Sequence, residues 1–217
     1  GVAREYWLSL KLPAILALDA PIYVETSHVA CKGFLESLLD LGVRPELIHL
    51  RRRPRAVAQS LCALGTVPAR TYGGVKYYLG PDDRPLLTLA RCVWQSFSDY
   101  QIAYWYCLEM NARAEHYRAQ WQALRIPFVG LEFEELTTRP GVESLARILG
   151  LPTLNGLGRW RAGRLLARPV NARADKKRSL EWDANTLARE ERAVHEALGF
   201  PWVAVEPEST RAAPSLG

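Results

Sequence analysis

The chain has 217 residues, 48% of them hydrophobic and 24% charged, and a formal net charge of +5. That length supports one domain with a substantial core, and the composition is that of an ordinary globular chain. The charge excess suits an anionic ligand but is too small to argue for DNA binding, and with no run of 18 uninterrupted apolar residues neither a membrane span nor a signal peptide is expected.

Residues 1–19 form a mixed apolar segment that Pro13 interrupts, and short helices are expected there. Residues 21–28 begin with β-branched and aromatic types and end in Thr26-Ser27-His28, which predicts a strand. A helix is expected over 32–41, with Phe34, Leu35, Leu38 and Leu39 on one stripe and Gly42 as its stop, and a strand over 47–50. Strand, helix and strand at this spacing predict a βαβ unit with parallel strands. Residues 65–85, rich in glycine, proline and tyrosine, read as a long surface loop of the kind that forms lids. Residues 86–124 hold no proline or glycine, and Trp94, Trp105, Tyr106, Glu109, Tyr117 and Trp121 recur at helical spacing. One long helix or two are expected, with Ser98-Asp99 as a restart cap.

A third strand is expected over 127–133 and a helix over 142–149, followed by Gly150-Leu151-Pro152. Beyond it the chain reads as irregular and basic until a last helix over 185–198, and 204–217 as a flexible tail. No linker divides the chain, so 1–203 is expected to be a single α/β domain, a parallel sheet flanked by helices with a long helical segment. The four cysteines, Cys31, Cys62, Cys92 and Cys107, lie far apart in apolar or helical settings, without metal-ligand spacing. Buried, reduced thiols in the cytoplasm are expected; a Golgi or secreted origin would predict pairing.

The chemistry concentrates between residues 47 and 64. An apolar run breaks at Arg51-Arg52-Arg53-Pro54-Arg55, and an alanine-rich helical segment containing Ser60 follows at once. Proline suits the first turn of a helix, where a backbone N–H would have no intrahelical partner. The N–H groups of that turn, the helix dipole and the guanidinium groups are then expected to converge on one anion. The same residues also fit a solvated basic turn or a nucleic-acid patch.

The stretch resembles the sulfotransferase family, in which a strand ends in Arg-Asp-Pro-Arg and the next helix carries a serine. Here Arg52, Arg53, Pro54, Arg55 and Ser60 match, with Arg53 at the family's Asp. A second block is similar to the family as well: Phe133-Glu134-Glu135-Leu136, then a helix, then Gly150-Leu151-Pro152. The resemblance implies a P-loop NTPase-like sheet and transfer of a sulfuryl group from 3′-phosphoadenosine-5′-phosphosulfate (PAPS) to a hydroxyl or amine. It implies that Arg52 and Ser60 hold the 3′-phosphate, and that Lys176, Lys177 and Arg178 lie near a late basic loop over it, although these three also read as a solvated charge run. His28 stands where cytosolic members place a catalytic base, and Glu25 is the second candidate; Thr26 replaces the family's Lys.

No GxxxxGK[ST] motif or comparable 5′-phosphosulfate turn is present. The chain is therefore expected to continue upstream or to have lost that turn, and in the second case it reads as a non-catalytic module binding a nucleotide or a protein. His49 reads as a satisfied core histidine, and His116 and His195 as exposed. Trp94, Trp105, Tyr106 and Trp121 read as core.

Overall fold

The structure, a computed structural model, describes residues 1–27, 30–151, 155–166 and 180–202. Helical turns Val2–Tyr6 (α1), Trp7–Lys11, which is π-helical, and Leu12–Leu16 (α2) follow one another. Pro13 does not break them, because it sits in the first turn of α2. The first expected strand is not formed: residues 21–27 are exposed and adopt no regular structure. Residues of high strand propensity make a strand only where a neighbour completes the backbone hydrogen bonds. The next helix starts late, as Leu35–Asp40 (α3), because Lys32 and Gly33 leave helical geometry, Gly33 with φ of 85°. Gly42, with φ of 79°, ends it as expected.

Strand β1 (Leu47–Arg51) leads through Arg52 and Arg53 into α4 (Pro54–Ala63), with Pro54 in the first turn. Residues 65–85 are more than a surface loop. They contain α5 (Tyr72–Tyr77) and bury Val67 and Leu79 in the core. A Cβ on Gly74 would run into the Val67 carbonyl oxygen, so this turn requires glycine. The long helical segment divides into α6 (Arg91–Ser96) and α7 (Asp99–Ala123). Ser98 restarts it with a capping box: its Oγ accepts from Gln101 N–H at 3.1 Å, and Gln101 Oε1 accepts from Ser98 N–H at 2.8 Å.

Strand β2 (Phe128–Glu132) is the parallel neighbour of β1, in register from Leu47 opposite Phe128 to Arg51 opposite Glu132. The parallel unit is thus built from 47–132, with the helices between its strands as the crossover, and not from 21–50. Helices α8 (Phe133–Leu136), α9 (Arg139–Ile148), α10 (Gly156–Leu166) and α11 (Ala184–Leu198) follow. Helix α10 falls where irregular chain was expected. The fold is mixed α/β, mostly helical, and the sheet has two strands among the described residues.

The core gathers residues of α4, α7 and α11 in one buried cluster: Ala58 and Leu61, Ile102, Ala103 and Trp105, and Leu187 and Val194. Burying these side chains removes apolar area from water, which is the main stabilising term. Trp94, Trp105, Tyr106 and Trp121 are buried, as their spacing predicts. Cys62 and Cys107 are buried thiols, each pushed up to about 12 by burial, whereas Cys92 is exposed on a short helix, contrary to expectation. The Cys31 side chain and the 204–217 tail lie outside the described residues. No helix among them is long and apolar enough to cross a membrane.

Candidate functional site

The parallel register brings the carboxyl ends of β1 and β2 side by side, and ligands of open α/β sheets bind beyond such ends. The four arginines of the β1–α4 turn divide among different partners there. Arg51 pairs across the strands with Glu132 at 2.7 Å, both groups partly exposed. Arg52 lies over the Phe133 ring, 4.9 Å from its centroid, at the start of α8. Arg53 is the exposed N-cap residue of α4. Arg55 turns inward and grips Glu191 of α11 with two hydrogen bonds, Nε–Oε1 at 2.7 Å and Nη2–Oε2 at 2.6 Å.

The expected convergence of all the guanidinium groups on one anion is therefore corrected. Two of the four are neutralised by carboxylates, because a cation near a sheet end or a helix interior is stabilised by the nearest acid. The groups placed to meet an anion include Arg52 and the first-turn N–H groups of α4. Val57 N–H, bonded to Arg53 O at 3.2 Å, is the first to find a helical acceptor. Ser60 is half-buried in α4, about 9 Å along the axis from Pro54 at 1.5 Å per residue. Its hydroxyl makes no hydrogen bond among the described residues, so its bonding capacity is open to a ligand.

Glu191 is fully buried and also accepts from the Tyr100 hydroxyl at 2.6 Å. Burial, and next the bond to Glu191, hold that phenol above its ordinary range, so it stays a donor. Tyr104 stacks on Tyr100, and its hydroxyl meets His195 Nε2 at 3.3 Å. This network ties the first turn of α4 to α7 and α11. It was not expected from the sequence, although Leu187, Glu191 and Val194 follow the spacing of one buried helix face.

The candidate bases stand elsewhere. Glu25 is exposed, paired with Lys11 at 3.0 Å, and accepts from the Tyr23 hydroxyl at 2.8 Å. Hydrogen bonds with Tyr23 and then with Glu25 hold the Lys11 ammonium above its ordinary range. No described contact joins Glu25 to the β1–α4 turn. His28 and Lys176, Lys177 and Arg178 lie outside the described residues.

His49 departs from the satisfied core histidine that was expected. Its Nδ1 is buried without a hydrogen-bond partner. Burial, and next the Arg51 charge, lower its pKa, with Glu115 and Glu132 opposing and Arg118 adding to the effect. The folded chain thus prefers neutral imidazole, and the unfolded chain binds the proton at higher pH. Stability is complete above the ordinary value of 6.5 and falls as pH drops below it. Urea unfolding at pH 8 and pH 5 should show that fall in the parent chain and a smaller one in His49→Val. Equal falls would assign the loss to other groups.

Comparison of the chain with protein-family models, curated proteins and solved structures gave no match in any of the three.

Proposed function

We propose that the chain is a sulfotransferase-like protein that takes PAPS as co-substrate and transfers its sulfuryl group to a hydroxyl or amine. The observation that carries this reading is the meeting of the two sequence blocks behind the resemblance. In-register pairing sets the Arg52 turn beside the Glu132-Phe133 turn at the carboxyl ends of parallel strands, with Arg52 over Phe133. The donor set suits a 3′-phosphate: a guanidinium held by an aromatic face, two first-turn N–H groups and an unbonded serine hydroxyl further along the helix. Arg52 and Ser60 would hold that phosphate, with Lys176, Lys177 and Arg178 as further candidates.

Bound there, PAPS supplies the activated sulfuryl group, and the chain's task is positioning and charge stabilisation. His28 is the proposed base for the acceptor and Glu25 the alternate. The fuller P-loop-type sheet and a cytoplasmic setting belong to this same proposal. A second reading, a module that binds a nucleotide or a protein without catalysis, is favoured by the commitment of Glu25 to Lys11 and Tyr23.

Calorimetric titration with 3′,5′-adenosine bisphosphate tests the site. The parent chain should bind it, and Arg52→Ala should bind roughly 10- to 100-fold more weakly, the worth of a hydrogen bond to a charged group. A folded parent chain that fails to bind, or an Arg52→Ala variant that binds equally, would overturn the assignment.

A further inference from the structure

Between residues 139 and 166 the sequence carries five arginines and one acid, Glu143. Helices α9 and α10 bring three of these arginines, Arg139, Arg159 and Arg164, to one surface. Arg139 Nε on α9 and Arg159 Nε on α10 both lie 3.3 Å from the same oxygen, Glu143 Oε1. One carboxylate is thus shared between two guanidinium groups and neutralises only one. Arg164 lies over the Trp160 ring, 5.0 Å from its centroid, and has no carboxylate partner among the described residues. A contact with an aromatic face orients a guanidinium but supplies no oxygen acceptor for its N–H donors.

These residues border a shallow depression that is widely open to solvent. Arg139, Gly156, Arg159, Trp160, Gly163 and Arg164 line this open cleft of about 670 Å³. A Cβ added at Gly156 or Gly163 would meet nothing within 4 Å among the described residues, so the glycines leave room on the α10 side. Trp160 is 55% exposed, an unusual state for so large an aromatic. Two arginines share one carboxylate, and a third, Arg164, lies against an open indole. That arrangement combines what an oxyanion needs with what a flat ring needs.

We propose that the α9–α10 cleft binds a planar ring bearing an oxyanion ester, with Arg159 and Arg164 on the anion and Trp160 against the ring. The chemistry is shared by nucleotides and by aryl phosphates or sulfates. It is distinct from the β1–α4 turn and does not depend on the function proposed for that turn. Arg139, on α9, offsets the charge of the Glu143 carboxylate that Arg159 also contacts.

Calorimetric titration of the full chain with adenosine 5′-monophosphate and with phenyl phosphate tests the cleft and separates the two sources. Whichever binds more tightly identifies the ring. Ribose 5-phosphate, which lacks a planar ring, should bind about tenfold or more weakly than the better ligand, the worth of one stacked ring. Trp160→Ala should reduce the better ligand to that level and leave ribose 5-phosphate unchanged. The pair Arg159→Gln with Arg164→Gln should lose both. Gly163→Glu places a carboxylate in open space within the cleft and should abolish binding while the circular dichroism spectrum stays that of the parent.

Arg52→Ala should leave these affinities untouched. If it removes them, the ligand sits at the β1–α4 turn and the cleft assignment is overturned. Absence of binding by a folded parent chain overturns it too, as does Gly163→Glu binding at parental affinity. Binding to anionic vesicles that neither ring ligand competes for would replace the small ligand with a membrane surface and likewise overturn it.

Discussion

Glu191→Ala is expected to destabilise the chain by about 3–5 kcal/mol, the cost of leaving a buried ion pair without one partner. In the parent, Glu191 is 0% exposed and takes three hydrogen bonds, two from Arg55 and one from Tyr100. Removing the carboxylate leaves a partly buried guanidinium and a buried phenol without the acceptor that served both. At roughly 2–4 °C per kcal/mol for a chain of this size, the melting temperature should fall by about 6–20 °C. The double variant Arg55→Met with Glu191→Leu separates the penalty from the worth of the pair, because two apolar side chains of similar volume leave no charge stranded. It should recover most of the loss. A double variant as unstable as Glu191→Ala would mean that packing, not charge, is what Glu191 supplies.

The variant has a second consequence, because Arg55 lies in the first turn of α4. Its side chain is anchored to α11, and its backbone N–H belongs to the group proposed to meet a phosphate. The buried pair therefore fixes the direction in which that turn points. In Glu191→Ala, below its lowered melting temperature, weaker binding of 3′,5′-adenosine bisphosphate should accompany the loss of stability. Unchanged binding would show that the turn is held by β1 and Pro54 alone.

How much of this was legible in the sequence follows from the range of each interaction. The start of α4 at Pro54, the Ser98 restart and the Gly42 stop were legible, since caps and breakers act within three or four residues. The pairing of β1 was not. The run at 21–27 has the better strand composition near β1, yet the ladder forms with residues 128–132, a choice made by tertiary packing. The candidate site was half legible. The strand, turn and helix fall where the arginines place them, but which arginine stays available depends on Glu132 and Glu191, and Glu191 is 136 positions from Arg55. A carboxylate on a helix reads as solvated unless its spacing is checked against the apolar stripe. Glu191 lies four residues after Leu187 and three before Val194, both buried, and that spacing was the available signal.

Glu109 offers the same lesson with a separate outcome. It lies fully buried on α7, at helical spacing from Trp105 and Tyr106, and it latches the chain that returns from the 65–85 segment. Its Oε1 accepts from Leu86 N–H at 3.0 Å and from Arg113 Nε at 2.6 Å, and its Oε2 accepts from Leu87 N–H at 2.7 Å. Arg113 in turn donates to Arg84 O at 2.9 Å, and Trp105 Nε1 donates to Leu87 O at 2.9 Å. The carboxylate thus satisfies two backbone donors that no strand or helix serves, together with a largely buried guanidinium. Glu109→Leu keeps the volume and removes every acceptor, so a loss of about 3–5 kcal/mol is expected, again a melting shift of about 6–20 °C. The loss should be local as well as global. Residues 84–87 should become a site of rapid proteolysis in Glu109→Leu and remain resistant in Glu191→Ala, whose damage lies at the α4–α11 contact. Cleavage at 84–87 in neither variant, with a melting shift of only about 1 °C for Glu109→Leu, would mean that the buried carboxylate is not what holds this segment to α7.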